Sequence, residues 1–213
     1  MAGQVRPALR HGQSLRKIVA QLGISDAKRV HIAHEELSPM RICAFVLTCC
    51  FLSGVHAQDQ TQKALVKSKA GEIARAMTKG DYVKVAELTY PKVIDVMGGL
   101  EKASSLMQQE MKKLEANGFR VIAVDIGEPG EFITADKLTF VVVPSTTVTA
   151  LPGGKELSKG YLLGISTDPT RTWHFVDGFG LANPEARALL LPKLPDNLKL
   201  PVIPPPEFIK DKY

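Results

Sequence analysis

Apolar positions along this chain change period once. Across residues 61–79, Leu65, Val66, Ala70, Ile73, Ala74 and Met77 recur at spacings of three and four, which predicts an amphipathic helix ended by Gly80. Asp81 is the expected N-cap of a second helix through Tyr82, Val83, Val85, Ala86 and Leu88. Tyr90-Pro91 interrupts it, because the residue before proline avoids helical geometry, and residues 93–97 resume a turn before Gly98-Gly99. A third helix over residues 100–116 turns Ala103, Leu106, Met107, Met111 and Leu114 inward and closes at Asn117-Gly118.

From there the period is two. Residues 119–126 alternate Phe119, Val121 and Ala123 against Arg120, Ile122 and Val124, a strand pattern, and residues 127–130 (Gly-Glu-Pro-Gly) form a turn. Residues 132–143 read as a long strand region with a bend or bulge at Asp136-Lys137. A further β-branched run over residues 146–151 ends in the hairpin turn Pro152-Gly153-Gly154, and residues 157–166 and 172–179 complete the sheet. The expected fold class is therefore α+β: three N-terminal helices packed on a curved antiparallel sheet of four to five strands. Beyond Ala182 come Asn183-Pro184, a short helical piece over residues 186–191, and prolines at 192, 195, 201, 204, 205 and 206, which predict an extended, polyproline-like tail. Its apolar residues (Leu194, Leu198, Leu200, Val202, Ile203, Phe208) suggest a tail lying along the body.

The front of the chain alters the bulk numbers. Met40-Arg41 precedes an uncharged apolar run over residues 42–55, then His56-Ala57-Gln58. A basic residue, an apolar core of about 7–15 residues and a small residue at the cut form the pattern of a secretory signal peptide. The run is shorter than the roughly 20 apolar residues that span a bilayer, so no stable membrane span is expected after cleavage. Four segments follow: an upstream extension over residues 1–39, a signal peptide over 40–57, a cone-like α+β domain over 58–182, and the Pro-rich tail over 183–213. Within the extension, residues 14–25 resemble the first helix and turn of a helix-turn-helix, but two short helices with few apolar residues cannot build a core alone. Cleavage after Ala57 removes all three cysteines, Cys43, Cys49 and Cys50, and with them any disulfide or thiolate chemistry. Twenty Lys and Arg then face nineteen Asp and Glu, a net charge of +1 in place of +5, so the basic balance gives no argument for a nucleic-acid partner. The expected location is secreted or periplasmic.

The order of elements resembles the nuclear-transport-factor-2-like superfamily. The residues that carry the likeness are Gly80-Asp81-Tyr82, Tyr90-Pro91-Lys92-Val93, and the closing Thr172-Trp173-His174-Phe175-Val176-Asp177-Gly178. The likeness covers residues 60–181 and implies helices folded against a strongly bent sheet around a pocket. It does not choose between isomerases, dehydratases or cyclases and non-enzymatic binding or dimerising modules. Family members place a short strand or hairpin before the third helix, for which residues 93–99 leave little room. Locally, residues 166–173 (Ser-Thr-Asp-Pro-Thr-Arg-Thr-Trp) resemble a single Asp-box hairpin with Thr170 in place of its glycine. That implies a structural turn closed by Asp168, with Trp173 anchoring the core.

Candidate chemistry is sparse. His174 is the sole histidine beyond residue 57, which excludes a metal site built from a histidine cluster in the mature chain and restricts any Ser-His-Asp triad to this residue. Alternation places Trp173, Phe175 and Asp177 on one face and His174 and Val176 on the other. Asp177 at a pocket mouth would be the candidate catalytic base; the plainer reading is that Asp177-Gly178 ends a strand. Tyr82, Tyr90, Tyr161 and His174 are the candidate ligand-binding groups, although tyrosines of this kind also serve as core bodies with a wet tip. Gly153-Gly154 lacks the context of a phosphate loop, and no cofactor is expected. Two functions remain open: a non-catalytic module that binds a small apolar ligand or a protein partner, with a homodimer through the sheet among the options, and a small pocket enzyme using Asp177.

Overall fold

The structure, a computed structural model, describes residues 53–211, with side chains from Asp59 onward. The upstream extension and the signal segment as far as Leu52 lie outside the described residues. Helix α1 (Ser53–Lys79) is followed by α2 (Tyr82–Leu88), α3 (Pro91–Val96) and α4 (Leu100–Ala116). The strands are β1 (Arg120–Ile126), β2 (Ile133–Ala135), β3 (Leu138–Leu151), β4 (Gly154–Asp168) and β5 (Thr172–Asp177). Two short helices, α5 (Gly178–Leu181) and α6 (Pro184–Leu190), and a last strand, β6 (Glu207–Lys210), complete the chain. The class is α+β, with a curled antiparallel sheet in the order β1-β3-β4-β5; β2 pairs with β3 and β6 with β4.

The sheet carries apolar cores on both faces. Val66, Ala70 and Ile73 of α1 pack with Leu88, Val141, Val143, Trp173 and Phe175 to form the first. The second, on the opposite face, joins Phe140, Tyr161, Leu163, Ile165 and Val176 to Leu181, Leu191 and Leu198 from the C-terminal segment. A sheet covered on both faces explains why Thr139, Phe140 and Val141 are buried in succession instead of alternating with water-facing residues. A small third cluster, Ala86, Ile94 and Ala103, ties α2, α3 and α4 together. On α4 the inward stripe is covered only in part: Ala103 is buried, Met107, Met111 and Leu114 are half-buried, and Leu106 is exposed.

Two local expectations are revised. Asp136-Lys137 is a reversal between β2 and β3: Ala135 pairs with Leu138 across it, and both central residues have positive φ, 47° and 68°. Two left-handed residues make the primed turn that matches strand twist. The strand break expected between residues 143 and 146 is absent, and β3 runs through Pro144. A strand residue's N and C=O point the same way; the Pro144 carbonyl accepts from Gly127 N–H at 2.8 Å, so its proton-less nitrogen faces the crossing loop and costs the β3–β4 ladder nothing. The Pro152-Gly153 hairpin closes as its residues require, with Gly153 at φ 84°.

Candidate functional site

The hairpin between β4 and β5 is built around a bulge. Ile165 pairs with His174 and Asp168 with Thr172, so Ser166 and Thr167 oppose Trp173 alone. The buried Ser166 hydroxyl fills the disrupted ladder by donating to the Thr172 carbonyl and accepting from Asp168 N–H at 3.0 Å. Asp168 closes the turn, its Oδ1 accepting from Thr170 N–H at 3.1 Å and from the Thr170 hydroxyl at 2.6 Å. The Thr170 hydroxyl, ahead of its N–H and of Arg171, holds the Asp168 carboxyl below the usual carboxylate range. Trp173 is buried, donates from its indole N–H to the Pro169 carbonyl at 3.1 Å, and stacks obliquely on Phe132 with ring centroids 5.6 Å apart.

Trp173 and Phe175 face α1, and Val176 faces the second core. His174 pairs with Ile165 and is half-buried; burial pulls its pKa below the ordinary histidine value. Asp177 lies at the end of β5 opposite Leu162 and is the N-cap of α5, its Oδ1 accepting from Phe179 N–H at 3.0 Å. Asp177 is an exposed residue whose carboxyl is crowded. The crowding pushes its pKa above the usual carboxylate value, against the opposing effect of the Phe179 bond. What the geometry shows of its role is the bond from Phe179 N–H: the carboxyl caps α5.

The tyrosines divide. Tyr161 belongs to the second core and Tyr90 packs against it; Tyr90 also ties α3 to β5 by donating its N–H to the Phe175 carbonyl at 2.9 Å. Tyr161 is pushed above the usual phenol value, first by burial, with Arg187 pulling it down and Asp177 adding to the rise. Tyr82 stands apart on α2, its phenol raised by burial and by Glu115 of α4. Tyr90, Tyr161 and His174 are thus associated with one face of the sheet, Asp177 with its edge, and Tyr82 with the helical layer. Arg187 of α6 is the charged group near Tyr161 that sequence reasoning missed, because nothing in a proline-rich tail signals which strand it will meet.

Neither of the two best-formed hollows among the described residues includes any of these five. One, of about 280 Å³, is an open notch lined by Ala86, Glu87, Thr89, Pro91, Ile94, Asp95 and Leu100; the other, of about 100 Å³, lies between Thr61, Gln62, Leu65 and Thr170. Among the described residues no group of three or more His, Cys, Asp or Glu is arranged to hold a metal, and no helix is long and apolar enough to cross a membrane. No protein-family model, curated protein or solved structure matches the chain.

Proposed function

We propose that this chain is an exported, non-catalytic α+β module that works by binding, with a protein partner favoured over a small apolar ligand. The observation that carries this reading is the position of Asp177: its carboxylate caps α5 by accepting from Phe179 N–H, and neither of the two best-formed hollows among the described residues includes it or Tyr82, Tyr90 or Tyr161. A general base needs a reacting atom held within hydrogen-bond reach, and a binding site for a small apolar molecule needs an enclosure that removes most of its surface from water. The second sheet face, a natural place for such an enclosure, is filled by Leu181, Leu191 and Leu198.

Export rests on the leader pattern of residues 40–57, and the nuclear-transport-factor-2-like kinship rests on the layout of helices before a curled sheet. Native mass spectrometry of the chain starting at Gln58, purified without unfolding, tests the binding mode. The expected mass is that of the polypeptide without a retained small molecule; a stoichiometric apolar adduct overturns the preference for a protein partner. N-terminal sequencing of exported material is expected to begin at Gln58, and a start upstream of Met40 overturns the leader.

A further inference from the structure

The C-terminal segment is anchored as far as Ile203. Leu191 and Leu198 are buried in the second core, with Leu194, Leu200 and Ile203 packed against it. Three consecutive prolines, Pro204, Pro205 and Pro206, then lead into β6. That strand runs antiparallel to β4 from Leu157↔Glu207 to Gly154↔Lys210, and all four of its residues are exposed. Its hold is therefore mainly backbone: the ladder, a bond from Asp211 N–H to the Gly153 carbonyl at 3.2 Å, and an ion pair between Lys159 and Glu207 at 3.3 Å. Both side chains of that pair are more than half exposed, so the pair adds little.

The seat, by contrast, is shaped for a strand. Gly154 is buried, and a Cβ there would lie 2.3 Å from the Ile209 carbonyl oxygen and 3.0 Å from the Phe208 ring. Without β6, residues 154–157 would present unpaired N–H and C=O groups on a sheet edge, which invites another strand. The hinge is stiff: three prolines hold φ near −65° and favour an extended course. Opening the hinge forfeits few buried contacts, and an identical strand arriving from another molecule restores every one of them, including Glu207 against Lys159. That is the condition for exchanging an identical element between protomers.

We propose that the β4 edge at residues 154–157 is an exchange site that receives β6 from a second copy of this chain, with Pro204, Pro205 and Pro206 as the hinge. Three residues reach about 10 Å when extended, so the two seats lie side by side about a twofold axis. The Lys159–Glu207 contact reports which molecule supplies the strand. Unlabelled and 15N-labelled full-length chains are mixed in urea and refolded together. They are then treated with a carbodiimide, which activates the Glu207 carboxyl and joins it to the Lys159 amine with net loss of water. Digestion and mass spectrometry read the isotope of each partner in the joined peptide. The expected result is a mixed-isotope pair whose share rises with protein concentration and which disappears with Glu207→Gln. Same-isotope pairs alone at every concentration overturn the proposal, as does the absence of any Lys159–Glu207 product.

Discussion

The indole N–H of Trp173 donates to the carbonyl of Pro169 across a four-residue turn, so the largest side chain of the first core is fixed by the loop that precedes it. Burial and turn closure are one structure here. Trp173→Phe removes both the bond and part of the ring that meets Phe132. A loss of about 1–3 kcal/mol is expected from the cavity and the missing hydrogen bond. Urea unfolding followed by circular dichroism measures it, and an unchanged midpoint would show that the turn does not depend on the indole.

Gly178 has no positive φ to excuse it, yet a Cβ at this position would lie 2.6 Å from the Tyr161 ring. The ring is buried in the second core and has little room to withdraw. Gly178→Ala is therefore expected to destabilise by about 1–3 kcal/mol, the range for forcing an extra methyl into a packed site. A thermal melt of the variant tests this; wild-type stability would mean that Tyr161 moves freely.

The acid limb of the stability curve contains a histidine contribution of predictable sign. Burial lowers the folded-state pKa of His174, so between that value and the unfolded value near 6.5 the unfolded chain binds more protons. Stability from this residue is complete above about pH 6.5 and falls as the pH drops through the unfolded value toward the folded one. His174→Gln should flatten that segment of the curve in denaturant titrations of the chain starting at Gln58. A segment that persists unchanged assigns the dependence elsewhere.

Asp168 has the opposite sense. Its folded pKa is lowered by the Thr170 hydroxyl, so its stabilising effect is present above the ordinary carboxylate value and disappears as the pH falls through the folded one. Asp168→Ala should lower the melting temperature at neutral pH and narrow its gap to wild type under strongly acid conditions. A gap that stays constant with pH would mean that the turn does not use the charge.

Helix α4 was legible to its ends because Gly98-Gly99 and Asn117-Gly118 bracket a 3.6-residue pattern, and the structure places it at Leu100–Ala116. The pattern identified the inward stripe without showing how much of it a neighbour covers, which is why Leu106 ends exposed. The runs read over residues 132–143 and 146–151 are one strand through Pro144, whose nitrogen faces a loop; that is set by the crossing of residues 127–130 and not by local sequence. That the tail lies along the body was legible from its apolar residues, and Leu194, Leu198, Leu200 and Ile203 do pack there; which face they cover was not, since Leu181, Leu191 and Leu198 follow no single repeat. Asp177-Gly178 was readable as a strand end but not as a cap, because the helix that follows has four residues and no apolar pattern of its own.

Asp177 caps α5, and a pair of substitutions tests that role. Asparagine caps a helix as well as aspartate does, whereas alanine costs about 0.5–2 kcal/mol at such a position. Unfolding free energies of Asp177→Asn and Asp177→Ala in the same urea series should therefore differ, with the asparagine variant close to wild type and the alanine variant clearly weaker. An alanine variant as stable as wild type, or more so, would contradict the cap and point instead to a carboxylate kept at a cost to folding, as functional groups often are.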